Sequence, residues 1–440
     1  EVLRPTRLRG PGRDTARALR EAENNSAIGG MRRPVVSLSS LPELVSTGSF
    51  LNKVLSSWLS DNIEVCDCVS DLLAGVSTPG FGQAAVMSAR KVVRKAIGLR
   101  APGTDTGLQA DLFEEVHNRG DPDEHLATWL RDGAPLGVSR CIPGSGIFPQ
   151  VVSNFSLGPD DPPTPVASSQ QIADIATDPS GWENYRSAES DPAVCAQLLD
   201  KMVTSGWATR HDDFSKAQAA LKSQDITLNK LGLVTKTRPD GTMKHRLIWD
   251  LRRSGVNSVL AQGERIVLPR LSDLAQDVVE LAGSGRSGTD VRLLGTDITD
   301  AFHLIPLHES ERRFTLASVG DAVYEFRVLV FGSGSAPTVW GRFAAFLGRT
   351  VMAVTGPESF RAEIYVDDPL FMASGSEAQI VKQFTIALLW VSVLGFPVSW
   401  SKSEGGNSVR WIGAQVSILP RSFDVSVPQD KVEELIHILK

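Results

Sequence analysis

Two short apolar runs that each end in acid constrain this chain more than any other feature. Val291–Leu294 leads into Gly295-Thr296-Asp297, and Ile364-Tyr365-Val366 leads into Asp367-Asp368, with Leu370-Phe371-Met372 returning. Short apolar runs bounded by turn residues read as buried strands, so Asp297 is expected at a strand end and Asp367-Asp368 at the tip of a hairpin. Carboxylates are seldom buried without a partner, and three gathered on neighbouring strands repel one another unless a cation neutralises them. Hard oxygen donors of this kind select Mg²⁺.

Two such ions held about 4 Å apart clamp the attacking and leaving oxygens of an in-line phosphoryl transfer. A lone Asp-Asp pair is more often a solvated turn, but this one stands in an ordered series. Lys244-His245-Arg246-Leu247-Ile248-Trp249-Asp250-Leu251-Arg252, with Asn257, precedes Asp297–Leu307 (DITDAFHLIPL). Phe331-Gly332-Ser333-Gly334-Ser335-Ala336-Pro337 follows, then Tyr365-Val366-Asp367-Asp368, Leu394-Gly395-Phe396 with Lys402, and Trp411-Ile412-Gly413.

In that order these segments resemble the reverse transcriptase family: a fingers signature, four palm motifs and a primer grip. The resemblance implies an α+β fold, a right-hand polymerase with fingers and palm built as an antiparallel sheet with packed helices. It implies an RNA-directed DNA polymerase that extends a primer 3′-hydroxyl with deoxynucleotides on an RNA or DNA template. Its cofactor would be two Mg²⁺ ions, with Mn²⁺ as a substitute, and its partners an RNA template, a DNA or RNA primer, an RNA–DNA hybrid and dNTPs. Phe331 stands where retroviral enzymes often carry Gln and many retrotransposon enzymes carry Phe, so the likeness leans toward a retrotransposon polyprotein.

Residue roles implied by the resemblance follow position by position. Asp297, Asp367 and Asp368 would be catalytic; Asp297 and Asp367 would bridge the metals, with Ile298 and Asp368 in the same metal site. Lys244, Arg246, Asp300, Ala301, Phe302, Phe331, Gly332 and Lys402 would bind the nucleotide. Arg246 offers a planar fork to phosphate and Lys244 a point charge. Phe302 would block a sugar 2′-hydroxyl, although an aromatic there also reads as plain core. Lys402 would protonate the leaving pyrophosphate or offset its charge, or else is a solvated loop lysine. Arg252, Asn257, Tyr365, Val366, Trp411, Ile412 and Gly413 would meet primer and template. Two departures are visible: Pro369, which lacks the amide a returning strand uses and is expected to distort or bulge the hairpin, and two extra residues before Asn257.

Net charge argues the other way. The 440 residues carry 45 Lys+Arg against 51 Asp+Glu, a formal charge of -6, which does not suit a nucleic-acid enzyme as an average. The distribution does: residues 101–200 hold 4 Lys/Arg and 16 Asp/Glu, whereas residues 201–270 hold 13 and 6. A basic block overlapping the fingers signature supplies a local field for phosphate. Cys66, Cys68, Cys141 and Cys195 form neither a disulfide framework nor a paired metal motif and are read as reduced thiols.

Along the chain, residues 1–34 read as a disordered basic segment, 35–156 as a mainly helical region matching no named family, and 157–171 as a Pro/Ser-rich linker. Residues 172–270 read as fingers, 271–418 as palm with primer grip, and 419–440 as the start of a truncated thumb or connection. No secretory h-region is visible in residues 1–34, and Phe384–Trp400 reads as a buried helix ending near Gly395, so no membrane partner and a cytoplasmic or nuclear location are expected. Two other readings share these features: a reverse-transcriptase-like scaffold that binds RNA without chemistry, usually marked by loss of an acid, and an RNA-dependent RNA polymerase. The spacing of Asp297 and Asp300 together with Phe302 disfavours the latter.

Overall fold

The computed structural model describes residues 38–100, 103–104, 106–150, 166–237, 241–284, 290–419 and 422–439. The expected segment 1–34 and most of the expected linker lie outside them. Within the rest of that linker, Ser169 begins the helix Ser169–Ile175, which Ser168 caps through a capping box with Gln171.

The chain divides into two compact units. Glu1–Asp121, Val267–Thr299 and Ala344–Lys440 make the first, and Pro122–Ile266 with Asp300–Phe343 make the second. This division is discontinuous and does not follow the linear boundaries expected from sequence. The boundary expected at 418 also cuts a hairpin, because Ala414–Leu419 pairs with Ser422–Ser426.

The first unit is organised by an antiparallel sheet whose strands lie in the order Phe360–Tyr365, Asp368–Gly375, Asp290–Gly295, Glu404–Gly406. Asp368–Gly375 is buried from Pro369 onward, so both faces of the sheet need cover. Leu274, Val278 and Leu281 of the helix Leu271–Ser284 pack with Val291, Leu293, Leu370 and Met372 on one face, and Val409, Trp411 and Val416 of the following hairpin complete that core. On the other, Phe360 meets Phe371 at a tilt and Phe384 edge-on.

Phe384 belongs to the helix Glu377–Leu394, which ends at Gly395 in a left-handed conformation, as expected. Its buried residues run without a break from Phe384 to Val391. A helix apolar all round must be covered all round. It is long and apolar enough to cross a membrane by length and composition, yet 61% of it is buried inside the structure.

The cover on its outer side comes from the N-terminal helices. Pro42–Ser60, Val65–Leu73 and Gln83–Ala96 pack on it, and the buried Arg90 caps its end by donating to the carbonyls of Val393 and Ser392 at 2.9 Å each. Gly48 lies so close to Ala353 that a Cβ would overlap its carbonyl. The described part of the expected helical region 35–156 is divided: up to Asp121 it is built into the sheet-bearing unit, and from Pro122 into the other unit.

In the second unit, the hairpin Lys230–Thr237 and Met243–Asp250 runs in unbroken register from Lys230↔Asp250 to Thr237↔Met243. A three-stranded sheet orders Ala208–His211, Ala322–Phe326 and Leu316–Val319. Asp123 and Arg342, both fully buried, form an ion pair whose guanidinium also covers the Trp129 ring at 4.3 Å. Glu311, fully buried, accepts the amides of Ser139 and Arg140, and burial pushes its carboxyl up.

Candidate active site

The three acids converge through backbone geometry. Asp297 follows the strand Asp290–Gly295 by two residues. On one side Thr296 and Ile298 donate their amides to the carbonyls of Pro369 and Asp367 at 3.0 and 2.8 Å; on the other, Ser399 donates to the carbonyl of Asp297 at 2.8 Å. Asp297 is thus stitched between the Tyr365–Asp368 hairpin and the segment leading to Lys402. Ile298 is buried with its amide spent on this stitch.

Tyr365 pairs with Asp368 across a two-residue turn of Val366 and Asp367. Val366 has φ +54°, a conformation that costs a β-branched residue roughly 1–3 kcal/mol and is held only where its surroundings demand it. The bulge expected at Pro369 is absent: the register continues through Ile364↔Pro369 to Phe360↔Ala373. Amide and carbonyl of one residue point to the same side of an antiparallel strand, and the Pro369 carbonyl faces Thr296. The missing N–H therefore falls on that side, not in the hairpin ladder.

The electrostatics are those of crowded carboxylates. Burial, then repulsion from Asp367 and Asp297, pushes Asp368 up to about 6. Burial and Asp297 also raise Asp367, and Lys402 opposes the shift in both. The Lys402 ammonium lies 2.8 and 2.9 Å from the two oxygens of Asp297. Lys402 is largely exposed, and an ion pair so placed contributes little by itself.

Among the described residues no three His, Cys, Asp or Glu side chains form a ready-made metal cage. A donor set of one or two carboxylates still suits Mg²⁺, which keeps waters and takes its remaining ligands from substrate phosphates. The raised carboxyls and the ammonium drawn onto Asp297 mark a site that lowers its energy by taking up positive charge. The residues fit the metal.

Beneath the hairpin, Trp411 packs its ring against Tyr365 and donates its indole N–H to the Asp368 carbonyl at 3.0 Å. Trp411 is 3% exposed, so a direct contact with primer or template, as expected from sequence, is not available to its side chain. The turn Ile412-Gly413, with φ +41° and +80°, carries the exposed Gly413.

The remaining expected residues lie in the second unit. Lys244 and Arg246 are exposed on one face of their strand, while Leu247 and Trp249 are buried. Lys244 stands directly opposite Lys236, a like-charge pairing that destabilises a hairpin and suits an anion. Arg252 is exposed on the turn beyond. Asp300, exposed and at φ +53°, precedes Ala301 and Phe302. Phe302 is 8% exposed and meets the exposed Phe331 edge-on at 4.8 Å, so it is at once core and the floor beneath an exposed aromatic.

Gly332 has φ +96°, and a Cβ there would overlap the Trp249 carbonyl. Asn257 donates to the Gly332 carbonyl and accepts from the Gly334 amide, both at 2.9 Å. Its amide is committed to shaping that loop. Sequence reading missed this clamp, as it missed the turn Ser399–Ser403, which fastens to Thr296 through a Ser403 hydroxyl contact at 2.7 Å. The only signal for the latter was a Ser-rich context around Lys402.

Residues 257–416 match the model of the family described as "Reverse transcriptase (RNA-dependent DNA polymerase)". They are a reverse transcriptase domain. The match takes in Asp297, Asp367, Asp368, Lys402 and Trp411 and begins after Lys244, Arg246 and Arg252. Solved structures similar to the chain include a foamy viral protease-reverse transcriptase in complex with double-stranded DNA, at 15% identity and TM-score 0.43 over 60% of this chain and 40% of that one. A foamy viral protease-reverse transcriptase in complex with RNA/DNA hybrid aligns at 14% identity and TM-score 0.43 over 60% and 30%. The chain thus spans less than half the length of these structures. No curated protein matches it.

Proposed function

We propose that this chain is an RNA-directed DNA polymerase, extending a primer 3′-hydroxyl with dNTPs on an RNA or DNA template, and that it comes from a retrotransposon polyprotein. The observation that carries this reading is the convergence of Asp297, Asp367 and Asp368 with a carboxyl pushed up to about 6 inside a reverse transcriptase domain. A primer-template duplex, RNA–DNA hybrid or double-stranded DNA, is the partner proposed here.

Asp297 and Asp367, with the Ile298 backbone, would hold two Mg²⁺ ions and Asp368 would support them. When bound, the ions supply charge neutralisation at the attacking and leaving oxygens. The protein's own work is positioning. Lys244 and Arg246 take the triphosphate, Phe302 closes the space a 2′-hydroxyl needs, and the Gly332 loop brings backbone close to the base pair. Lys402 would hold its charge, or its proton, toward the leaving pyrophosphate. Gly413 and Ile412 meet the primer strand.

Primer extension on an RNA template with Mg²⁺ tests the reading. Incorporation should be lost by at least roughly a hundredfold in Asp367→Asn, and incorporation that survives this change sinks the metal assignment. The alternative, a scaffold that binds primer-template without chemistry, predicts binding with no incorporation by the unaltered chain; retention of all three acids favours the enzyme.

A further inference from the structure

The turn that carries Lys402 is gripped from both flanks by residues of the N-terminal helical region, all within the first unit. Trp400 opens this short helical turn, Trp400–Lys402. The backbone of Gly80, at φ +80°, lies so close to its indole that a Cβ would overlap the ring. Phe81 meets the same indole edge-to-face, with centroids 4.7 Å apart. Just beyond Lys402, the strand Glu404–Gly406 runs under the end of the helix Val65–Leu73: a Cβ at Gly405 would sit 3.1 Å from the Leu73 side chain and 3.3 Å from the Leu72 carbonyl.

The gripping segment is itself fixed. The Gly80 amide donates to the buried Thr78 hydroxyl at 3.2 Å, and the Cys68 thiol donates to the Gly80 carbonyl at 3.4 Å. Left-handed glycine is needed at position 80 because only an atom-free face lets backbone reach the indole. An edge-to-face aromatic pair adds about 0.5–1.5 kcal/mol beyond the area it buries.

We infer that Thr78–Phe81 is a positioning brace for the Lys402 turn, so that a segment outside the matched reverse transcriptase domain sets where the Lys402 ammonium stands relative to Asp297. The turn's other supports lie at its ends, where Ser399 donates to the Asp297 carbonyl and the Ser403 hydroxyl meets Thr296. Within it, the Lys402 and Ser403 amides bond to Ser399 and Trp400 carbonyls at 3.0 and 3.1 Å, a one-turn helix that does not persist without packing. Trp400 is the aromatic side chain of that turn, held between Gly80 and Phe81. Phe81 and Gly80 touch neither the acids nor Lys402 and act only through Trp400.

The inference rests on the polymerase reading for its catalytic consequence but not for its structural one, and two measurements separate them. Hydrogen exchange on the full chain should show the Lys402 and Ser403 amides losing protection in Phe81→Ala, while Thr296 and Ile298, bonded to the Pro369 and Asp367 carbonyls, keep theirs. Phe81→Tyr should restore protection. Phe81 is partly exposed, so the variant retains its core. In primer extension, Phe81→Ala should lower kcat about tenfold to a hundredfold with the dNTP KM little changed, in line with the cost of misplacing a group by about 1 Å. In a Lys402→Ala background the same change should cost less than about twofold, because the group it positions is gone. Unaltered protection at Lys402 and Ser403, or an equal kcat penalty in both backgrounds, overturns the brace. A chain that extends no primer while Phe81→Ala still releases those two amides counts against the polymerase reading and leaves the brace standing.

Discussion

The indole N–H of Trp411 donates to the carbonyl of Asp368 at 3.0 Å, tying the core of one hairpin to the acidic tip of another. The tip carries Val366 at φ +54°, a conformation held only where its surroundings demand it, and this bond supports it alongside the Ile298 amide on the Asp367 carbonyl. Trp411→Phe keeps most of the packing and removes the donor. Unfolding free energy should fall by about 1 kcal/mol, the worth of one buried hydrogen bond, with a larger proportional loss in primer extension. Full activity alongside lowered stability would separate the bond from the site.

Asp368 makes a pH prediction. Its folded value of about 6 lies above the usual carboxylate value of 3.8, so the folded state binds the proton more tightly than the unfolded chain. The associated stability is present below about pH 4 and is lost as pH rises through 6. Asp368→Asn cannot suffer this loss. In metal-free buffer at pH 7.5 it should be the more stable protein by about 1–2 kcal/mol, after allowance for partial solvent exposure, and the gap should close near pH 4. Thermal melts at the two pH values decide it, and Mg²⁺ should narrow the gap at pH 7.5 by stabilising the unaltered acid.

Phe302 is buried against Phe331 and Trp340, yet its proposed task is to exclude a hydroxyl. Phe302→Val opens space while leaving an apolar residue in place. Ribonucleotide incorporation should rise relative to deoxynucleotide incorporation, by about 10-fold or more if the steric term is worth 1.4 kcal/mol. An unchanged ratio with reduced stability would leave Phe302 as core alone.

Gly332 permits neither a side chain nor the usual backbone angle. Gly332→Ala should destabilise the protein by roughly 2 kcal/mol or more, from the overlap with the Trp249 carbonyl and the left-handed strain together. Urea melts measure the loss. A cost as small as that of an ordinary surface change would mean the loop relaxes without its Asn257 clamp.

Much of the site was legible in the sequence because its acids follow local rules. Asp297 and Asp367-Asp368 stand at the ends of apolar runs, and a strand end and a hairpin tip can be read from such runs alone. The helices Pro192–Thr204 and Gln429–Leu439 and the end of Glu377–Leu394 at Gly395 are local in the same way. Pro369 misled because its effect depends on which neighbour its missing amide would face.

Residue order and apolar period alone determined where the acids fall, which segments become strands, and that Glu377–Leu394 must be covered on every side. What covers it was decided only in three dimensions. Nothing in the spacing of the helix Gln83–Ala96 says that its Arg90 belongs with Val393, 303 residues later, since apolar burial is non-directional and any matching face would serve. The same holds for Lys402 on Asp297 and Gly80 on Trp400: contacts between distant segments follow from how whole faces pack, and no local pattern encodes the partner.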